Sequence, residues 1–521
     1  MRYLLLLLLL CACGPALLAQ RPTAPGRPTT VTVTGGELIG RRDDADGLRR
    51  FWGIPFAAPP VGALRWRPPQ PLRPWPTPRP AHRFAPRAMQ ARPFTDMRFR
   101  SPGFNEDCLY LNVWAPPPAD TGAHAILLYF HGGGLRAGSG DEFRYDGSAL
   151  ARRGIIVITA NYRLGVFGFL AHPGLTAEAG RSGNYGLLDQ VAALEWVRAN
   201  AAAFGGDPDR ITVGGESAGS MSVSLLCVSP LSRGLVAGAV GQSGAVVPPL
   251  AVPLPQSVAD RRGAHWAERH GYFTLEALRA LPSPELLAIA SGEQATEFPP
   301  VRDGHFLTES LPEAYRAGRA ADVPLLVGWT STEASWAQPP ASAAAYRAAV
   351  RKEYPADYDR LLALYPATDY TASHYALTSD RWISYATWRW FDLHRRYTTA
   401  PVYRYRFDRI RPPLRGQPAP ATPPPGAGHA SDIEYFADAM DYADEYAWRA
   451  ADRRTAATMA DYLAGFVRNG RPRAAGQPAW PAAGQRPGPV SVMHLDDQPA
   501  VRPAGNEERY YFWRDHFAND E

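Results

Sequence analysis

Lysine is almost missing from this chain: Lys352 stands alone, and every other basic side chain apart from the histidines is arginine. The arginines are mixed with Asp and Glu along the whole length, and the formal net charge is only +5. A nucleic-acid binder concentrates its positive charge on one run or one element. No such run occurs, so nucleic acid is excluded as a partner. Cysteine is scarce too, with four in 521 residues. Cys11 and Cys13 fall in the apolar N-terminal stretch, and nothing in the sequence pairs the remaining Cys108 with Cys227. There is no His-Glu-x-x-His and no Cys/His spacing suited to zinc, so no metal is expected. Beyond the N-terminus no apolar run is long enough to span a bilayer. The polar bias of a disordered chain is absent as well: 45% of the residues are hydrophobic, enough for a large core at this length.

The apolar run that does exist lies at residues 4–10, after a single Arg2 and before the small Ala19. This is the pattern of a secretory leader over 1–19, cleaved after Ala19. Leu10-Cys11-Ala12-Cys13 loosely resembles a lipobox, so a lipid anchor on Cys13 is the alternative to a soluble mature chain. The expected location is exported, either periplasmic or extracellular.

The 52 prolines and 47 glycines imply many loops, and the Pro-rich stretches at 67–80 and 411–428 read as long ordered loops. Residues 125–130 and 155–160 are short β-rich apolar runs bounded by turns, and 211–213, 323–327 and 402–407 are later strands. Residues 187–204 carry Leu187, Leu188, Val191, Leu194 and Val197 at helical spacing. Alternating strands and helices predict a mostly parallel central sheet with helices on both faces. Residues 20–521 are expected to form a single domain, with helical cap insertions within 257–396.

Two motifs carry chemistry. Gly215-Glu216-Ser217-Ala218-Gly219 fits a nucleophile elbow, in which the serine sits on a sharp strand-to-helix turn and flanking glycines leave it room. Chance alone supplies such a match about 0.2 times in a chain this long, so the motif needs its context: a strand before it and helix-compatible sequence after it. His131-Gly132-Gly133-Gly134 follows another strand directly. Consecutive glycines leave backbone N–H groups open to an oxyanion, and Gly133, Gly134 and Ala218 are the expected donors.

The surrounding segments resemble the type-B carboxylesterase family. They include Phe51-Trp-Gly-Ile-Pro-Phe, Glu106-Asp-Cys-Leu-Tyr-Leu-Asn-Val113, Asn161-Tyr-Arg-Leu-Gly, Gly183-Asn-Tyr-Gly-Leu-Leu-Asp-Gln, Gln242-Ser-Gly, Asp303-Gly and Trp480-Pro. The resemblance covers essentially the whole mature chain. It implies an α/β-hydrolase fold and hydrolysis of small-molecule carboxylic esters through an acyl-enzyme, without a cofactor. A lipase-like interfacial esterase and a non-catalytic binding protein on the same fold are the alternatives. Neither the acyl and alcohol specificity nor the oligomeric state is legible.

In an α/β-hydrolase the acid follows the serine and the histidine follows the acid. The resemblance places the acid at Glu333, after the strand at 323–327, although Ala334 stands where the family has glycine. By order, His374, His394, His429, His494 and His516 all qualify as the base; Gly428-His429-Ala-Ser-Asp-Ile-Glu434 resembles the family's histidine motif and selects His429. Glu216 is expected as a buried support residue, and Ser243 as support for the acid or the histidine. The resemblance further implies structural ion pairs Arg65–Glu106 and Arg163–Asp189. Its usual cysteine partner for Cys108 is replaced by Ala88, so a free thiol is expected. The loop 88–108 lacks the tryptophan on which cholinesterases bind choline; it carries Arg92, Arg98 and Arg100, expected as solvated surface charges.

Overall fold

A computed structural model describes residues 26–92, 94–118, 122–291, 298–418, 425–484 and 490–518. The leader expected at 1–19, with Cys13, lies outside them. One 13-stranded sheet runs through the molecule. Its strands are β1 (Arg27–Val33), β2 (Gly36–Arg42), β3 (Arg49–Pro55), the short β4 (Arg79–Pro80), β5 (Tyr110–Ala115), β6 (His124–Phe130), β7 (Ile156–Ala160), β8 (Gly206–Glu216), β9 (Gly238–Gln242), β10 (Leu325–Thr330), β11 (Val402–Phe407), β12 (Ser491–Leu495) and β13 (Ala500–Pro503). Their spatial order is β1-β2-β3-β5-β7-β6-β8-β9-β10-β11-β12-β13, with β4 beside β2. Every pairing from β7 to β12 is parallel. An antiparallel meander forms one edge and the β12–β13 pair the other.

The central strands are buried on both faces. β7 reads Ile-Val-Ile-Thr-Ala and β10 reads Leu-Leu-Val-Gly-Trp-Thr, with every residue buried, as parallel strands between helical layers require. Alternation sorts the side chains: Ile126, Leu128 and Phe130 of β6 enter one core, Ala125 and Leu127 the other. The first core is covered by α1 (Tyr185–Asn200), which contributes Leu187, Val191 and Leu194, and by α2 (Ala218–Leu226) with Val223 and Leu226. Further along the chain come α3 (Tyr370–Ser379), α4 (Tyr385–Tyr397) and α5 (Ala450–Asn469). Of these, α4 adds Trp390 and Phe391 to the first core, while α5 fills the second with Met459, Leu463 and Phe466.

The helix expected over 187–204 divides into α1 and a 3-10 turn at Ala201–Phe204. The strand expected at 211–213 is the middle of an eleven-residue strand; its first half, Asp207-Pro-Asp-Arg210, is polar and gives no apolar pattern. Residues 257–396, where the cap was expected, hold two helical groups divided by β10. The first group places Trp266, Leu278 and Leu286 against Trp66 and Phe167. No helix among the described residues is long and apolar enough to cross a membrane.

Candidate active site

The elbow lies where β8 ends and α2 begins. Ser217 has φ 55° and ψ −120°, a strained geometry that costs a non-glycine residue about 1–3 kcal/mol. The flanking glycines leave the turn the room it needs. A Cβ on Gly215 would collide with the backbone of Gly219, and one on Gly219 with the carbonyl oxygen of Phe130. The Ser217 N–H donates to the Gln242 carbonyl at 2.8 Å, fastening the turn to β9. Ala218 is the first residue of α2, so its N–H has no acceptor within the helix, and the positive end of the helix dipole faces the turn.

Beside the elbow, the chain leaving β6 folds back at Gly133 (φ 104°) and Gly134 (φ 65°). The Gly133 carbonyl accepts from the N–H groups of Arg136 and Ala137 at 3.2 and 3.0 Å. Among the described residues, the N–H groups of Gly133 and Gly134 have no acceptor of their own. His131 anchors this turn. Its ring stacks on Tyr162 at 4.5 Å and its Nδ1 lies 2.8 Å from the Gly132 carbonyl. Burial pushes the imidazole down to about 4, so it is uncharged at neutral pH.

Glu333 follows β10 and is fully buried. One carboxylate oxygen accepts from the Ser243 hydroxyl (2.6 Å) and the Thr330 N–H (2.7 Å); the other lies 2.6 Å from His429 Nδ1. The His429 N–H donates to the Glu333 carbonyl at 3.3 Å. On the opposite side of the ring, His429 Nε2 lies 3.3 Å from Oε1 of Glu216, the residue before Ser217. Burial opposes charge on His429, yet the carboxylates of Glu216 and Glu333 outweigh it and hold the imidazole up at about 9. Glu216 is pushed up to about 8, foremost by burial, with His429 pulling the other way.

The other candidate histidines are engaged elsewhere. His394 lies 3.2 Å from the Tyr315 hydroxyl, His494 pairs with Asp408 and His516 with Asp357; His374 sits on α3, its ring packed edge-to-face with that of Tyr375. Arg65 grips Glu106 with two bonds of 2.6 Å, and Arg163 grips Asp189 at 2.8 and 2.7 Å. Cys108 and Cys227 are free and buried. Among the described residues no three His, Cys, Asp or Glu side chains converge into a metal-holding group.

The expectation for the loop arginines needs correction. Arg92 is exposed, but the Arg100 side chain is only 10% exposed. It pairs with Asp146 at 2.6 Å and lies over the Phe84 ring at 4.3 Å. Arg98 pairs with Glu445. Arg100 thus fastens the loop instead of standing in solvent, because a charge so covered needs a partner, whereas the Arg98 pair stays partly exposed.

Sequence reasoning missed the network behind the histidine. Asp432 is buried and accepts from Gln242 Nε2 (3.1 Å) and the Tyr405 hydroxyl (3.0 Å), and Gln242 in turn accepts from the Tyr129 hydroxyl. Arg411 donates to the Ala430 carbonyl (2.7 Å) and to Glu434 (2.8 Å). Gln242 and Asp432 lie inside recognised motifs and were open to notice; Arg411, in a Pro-rich stretch, carried no signal.

A parallel sheet with a strained serine between β8 and α2 defines an α/β-hydrolase. The family model described as "Carboxylesterase family" matches residues 27–513, and the chain belongs to that family. It is 38% identical over 405 residues to the fumonisin B1 esterase of Sphingopyxis macrogoltabida, covering 72% of this chain and 71% of that one. It is 32% identical over 549 residues to the pyrethroid hydrolase Ces2a of Mus musculus, covering 96% and 94%. A solved PNB esterase superposes with a TM-score of 0.77 at 30% identity, over 93% of this chain and 99% of that one. The protein is thus a serine carboxylesterase.

Proposed function

We propose that Ser217 is the nucleophile, His429 the general base and Glu333 the carboxylate that orients it. The observation that carries this reading is the 2.6 Å contact between Glu333 and His429 Nδ1. Glu333 is itself fixed by Ser243 and Thr330, so it commits Nδ1 as the donor and leaves Nε2 as the acceptor of the neutral ring. His429 takes the Ser217 proton as the hydroxyl oxygen adds to the ester carbonyl. The resulting oxyanion rests on the N–H groups of Gly133, Gly134 and Ala218, which are fixed before the reaction and need no reorganisation. His429 then protonates the departing alcohol, and water attacks the acyl-enzyme by the same route. Ser243 and Glu216 support these steps: Ser243 holds the acid, and Glu216 sets the field at Nε2.

The substrates on this reading are small carboxylic esters, uncharged or polar; the loop 88–108 offers no tryptophan to a choline group. Residues 20–521 act as one catalytic domain, exported through the leader 1–19. N-terminal sequencing of the mature protein tests the export reading: it expects Gln20, and a lipidated Cys13 would replace that result by the anchored form. For the site, Ser217→Ala is expected to remain folded and lose at least about 10⁴-fold in kcat on a short p-nitrophenyl ester. Near-normal turnover by that variant contradicts the assignment.

A further inference from the structure

Arg136 stands two residues beyond Gly134, in the turn whose N–H groups are the proposed oxyanion donors. Its side chain folds back beside that turn: Nε lies 3.6 Å from where a Cβ on Gly134 would stand. The guanidinium also lies over Phe94, its central carbon 5.4 Å from the ring centroid. The two glycines differ in cover. Met97 closes on Gly133, its methyl group 3.0 Å from the position of a Cβ there, and Gly133 is buried. Gly134 is exposed, so the open flank of the turn is the one that Arg136 borders.

Arg136 is half-buried, yet it has no carboxylate partner among the described residues. The other partly covered arginines of the loops 88–108 and 131–147 are paired: Arg98 with Glu445, Arg100 with Asp146, and Arg144 with Glu142 and Asp96. A charge that loses part of its water without gaining a partner is costly, and a ring beneath it offsets only part of that cost. The backbone that carries Arg136 is nevertheless tightly held. Its N–H donates to the Gly133 carbonyl at 3.2 Å. Gly138, two residues on, is clasped by the Gln90 side chain, which accepts from its N–H at 2.9 Å and donates to its carbonyl at 2.8 Å. A guanidinium on a fixed backbone and without a partner suits a carboxylate, which its planar fork meets with two parallel bonds.

A molecule whose ester carbonyl rests on Gly134 brings its nearest substituents within reach of Arg136. We propose that Arg136 binds a carboxylate carried by the substrate, so that the enzyme prefers esters bearing a second, ionised carboxyl group a short chain away from the scissile carbonyl. This narrows the polar esters of the reading above to anionic ones, and it rests on Gly134 as an oxyanion donor. The loop 88–108, which lacks a tryptophan for choline, supplies Phe94 as the bed for this cation, and a cationic ester is repelled here.

The test uses ester pairs of equal size that differ in one charge. Monoethyl succinate against ethyl levulinate places the carboxylate on the acyl side. The ester γ-acetoxybutyrate, against the methyl ketone that replaces its carboxylate, places it on the alcohol side. In at least one pair the wild-type kcat/KM should be higher for the anionic ester, and that pair identifies the side Arg136 serves. Arg136→Ala should lower this anionic-to-neutral ratio about ten- to hundredfold, the range of a hydrogen bond to a charged group. Arg136→Met, which keeps an apolar stem on Phe94, should lower it as far, and Arg136→Lys should retain part of it. Added salt should weaken the wild-type preference. A wild-type ratio at or below one in both pairs would overturn the proposal. So would a ratio that Arg136→Ala and Arg136→Met leave intact, including through an equal fall on both esters, which would make Arg136 a support of the oxyanion turn. Ser217→Ala run on the same panel separates the two readings. If it is inactive while the ratio ignores Arg136, the carboxylate site alone fails; if it stays active, the site assignment fails and this inference with it.

Discussion

The serine and the histidine of this enzyme are held in place by opposite means. Ser217 owes its position to its immediate neighbours: two glycines without Cβ atoms, a strand that ends and a helix that begins, all within five residues. The loop of His429 is held from afar. Ala430, at φ 63°, has its carbonyl bound by Arg411; Asp432 is bound from β9 by Gln242 and from β11 by Tyr405; and Glu333 approaches from beyond β10. On the proposed assignment, the nucleophile is positioned by local backbone geometry, whereas the base is oriented by side chains from several strands.

The largest effect short of removing Ser217 should come from disturbing the local construction. Gly219→Ala places a methyl group against the Phe130 carbonyl, and we expect a loss of about 2–4 kcal/mol in stability, read as the urea midpoint. A midpoint equal to wild type would show that the elbow is not sterically determined. Arg411→Ala attacks the remote construction instead. It should leave KM near its wild-type value and lower kcat about 10- to 100-fold by misplacing the imidazole, with Arg411→Lys recovering part of the loss. Equal kcat in wild type and Arg411→Ala would break the contrast between the two loops.

Glu216→Gln sharpens the electrostatic half of the comparison. If His429 is the base, as proposed, it acts in its neutral form, and activity should fall as pH drops through its titration. The Glu216 carboxylate favours the imidazolium and holds that titration high. Removing its charge should move the acid limb of kcat/KM to lower pH, by about one unit. A limb that stays put or moves upward would show that Glu216 does not act on Nε2. The smallest effect is expected at Arg98, whose pair with Glu445 is partly exposed: Arg98→Ala should cost no more than about 1 kcal/mol in thermal unfolding, and a larger loss would make this loop a fastening as important as the histidine's network.

The same division governs what could be read from the amino-acid order. The elbow, the glycine turn at 132–134 and the strands β6, β7, β10 and β11 announce themselves because each is a contiguous pattern. Ser243 and Glu216 could be named as supports because they sit inside such patterns. The polar first half of β8 and the antiparallel edge strands β1 to β3 left no comparable mark: Asp207 to Arg210 look like loop, and alternation in β1 is weak. The partners of Arg100 leave no mark in the sequence for a related reason. An arginine in a loop looks solvated until Asp146 and Phe84, brought in by the fold, are seen beside it. The Trp382 contact with His429 joins residues 47 apart through a π-helical turn that no periodicity foretells.

The proposed mechanism requires ester hydrolysis to pass through a covalent bond to Ser217. It is tested most directly by reacting the enzyme with a fluorophosphonate that mimics the tetrahedral intermediate, digesting it, and locating the added mass by mass spectrometry. One adduct per chain is expected, on Ser217, appearing in step with the loss of esterase activity. Complete inactivation with the adduct on another residue, or full labelling of Ser217 with activity retained, would contradict it.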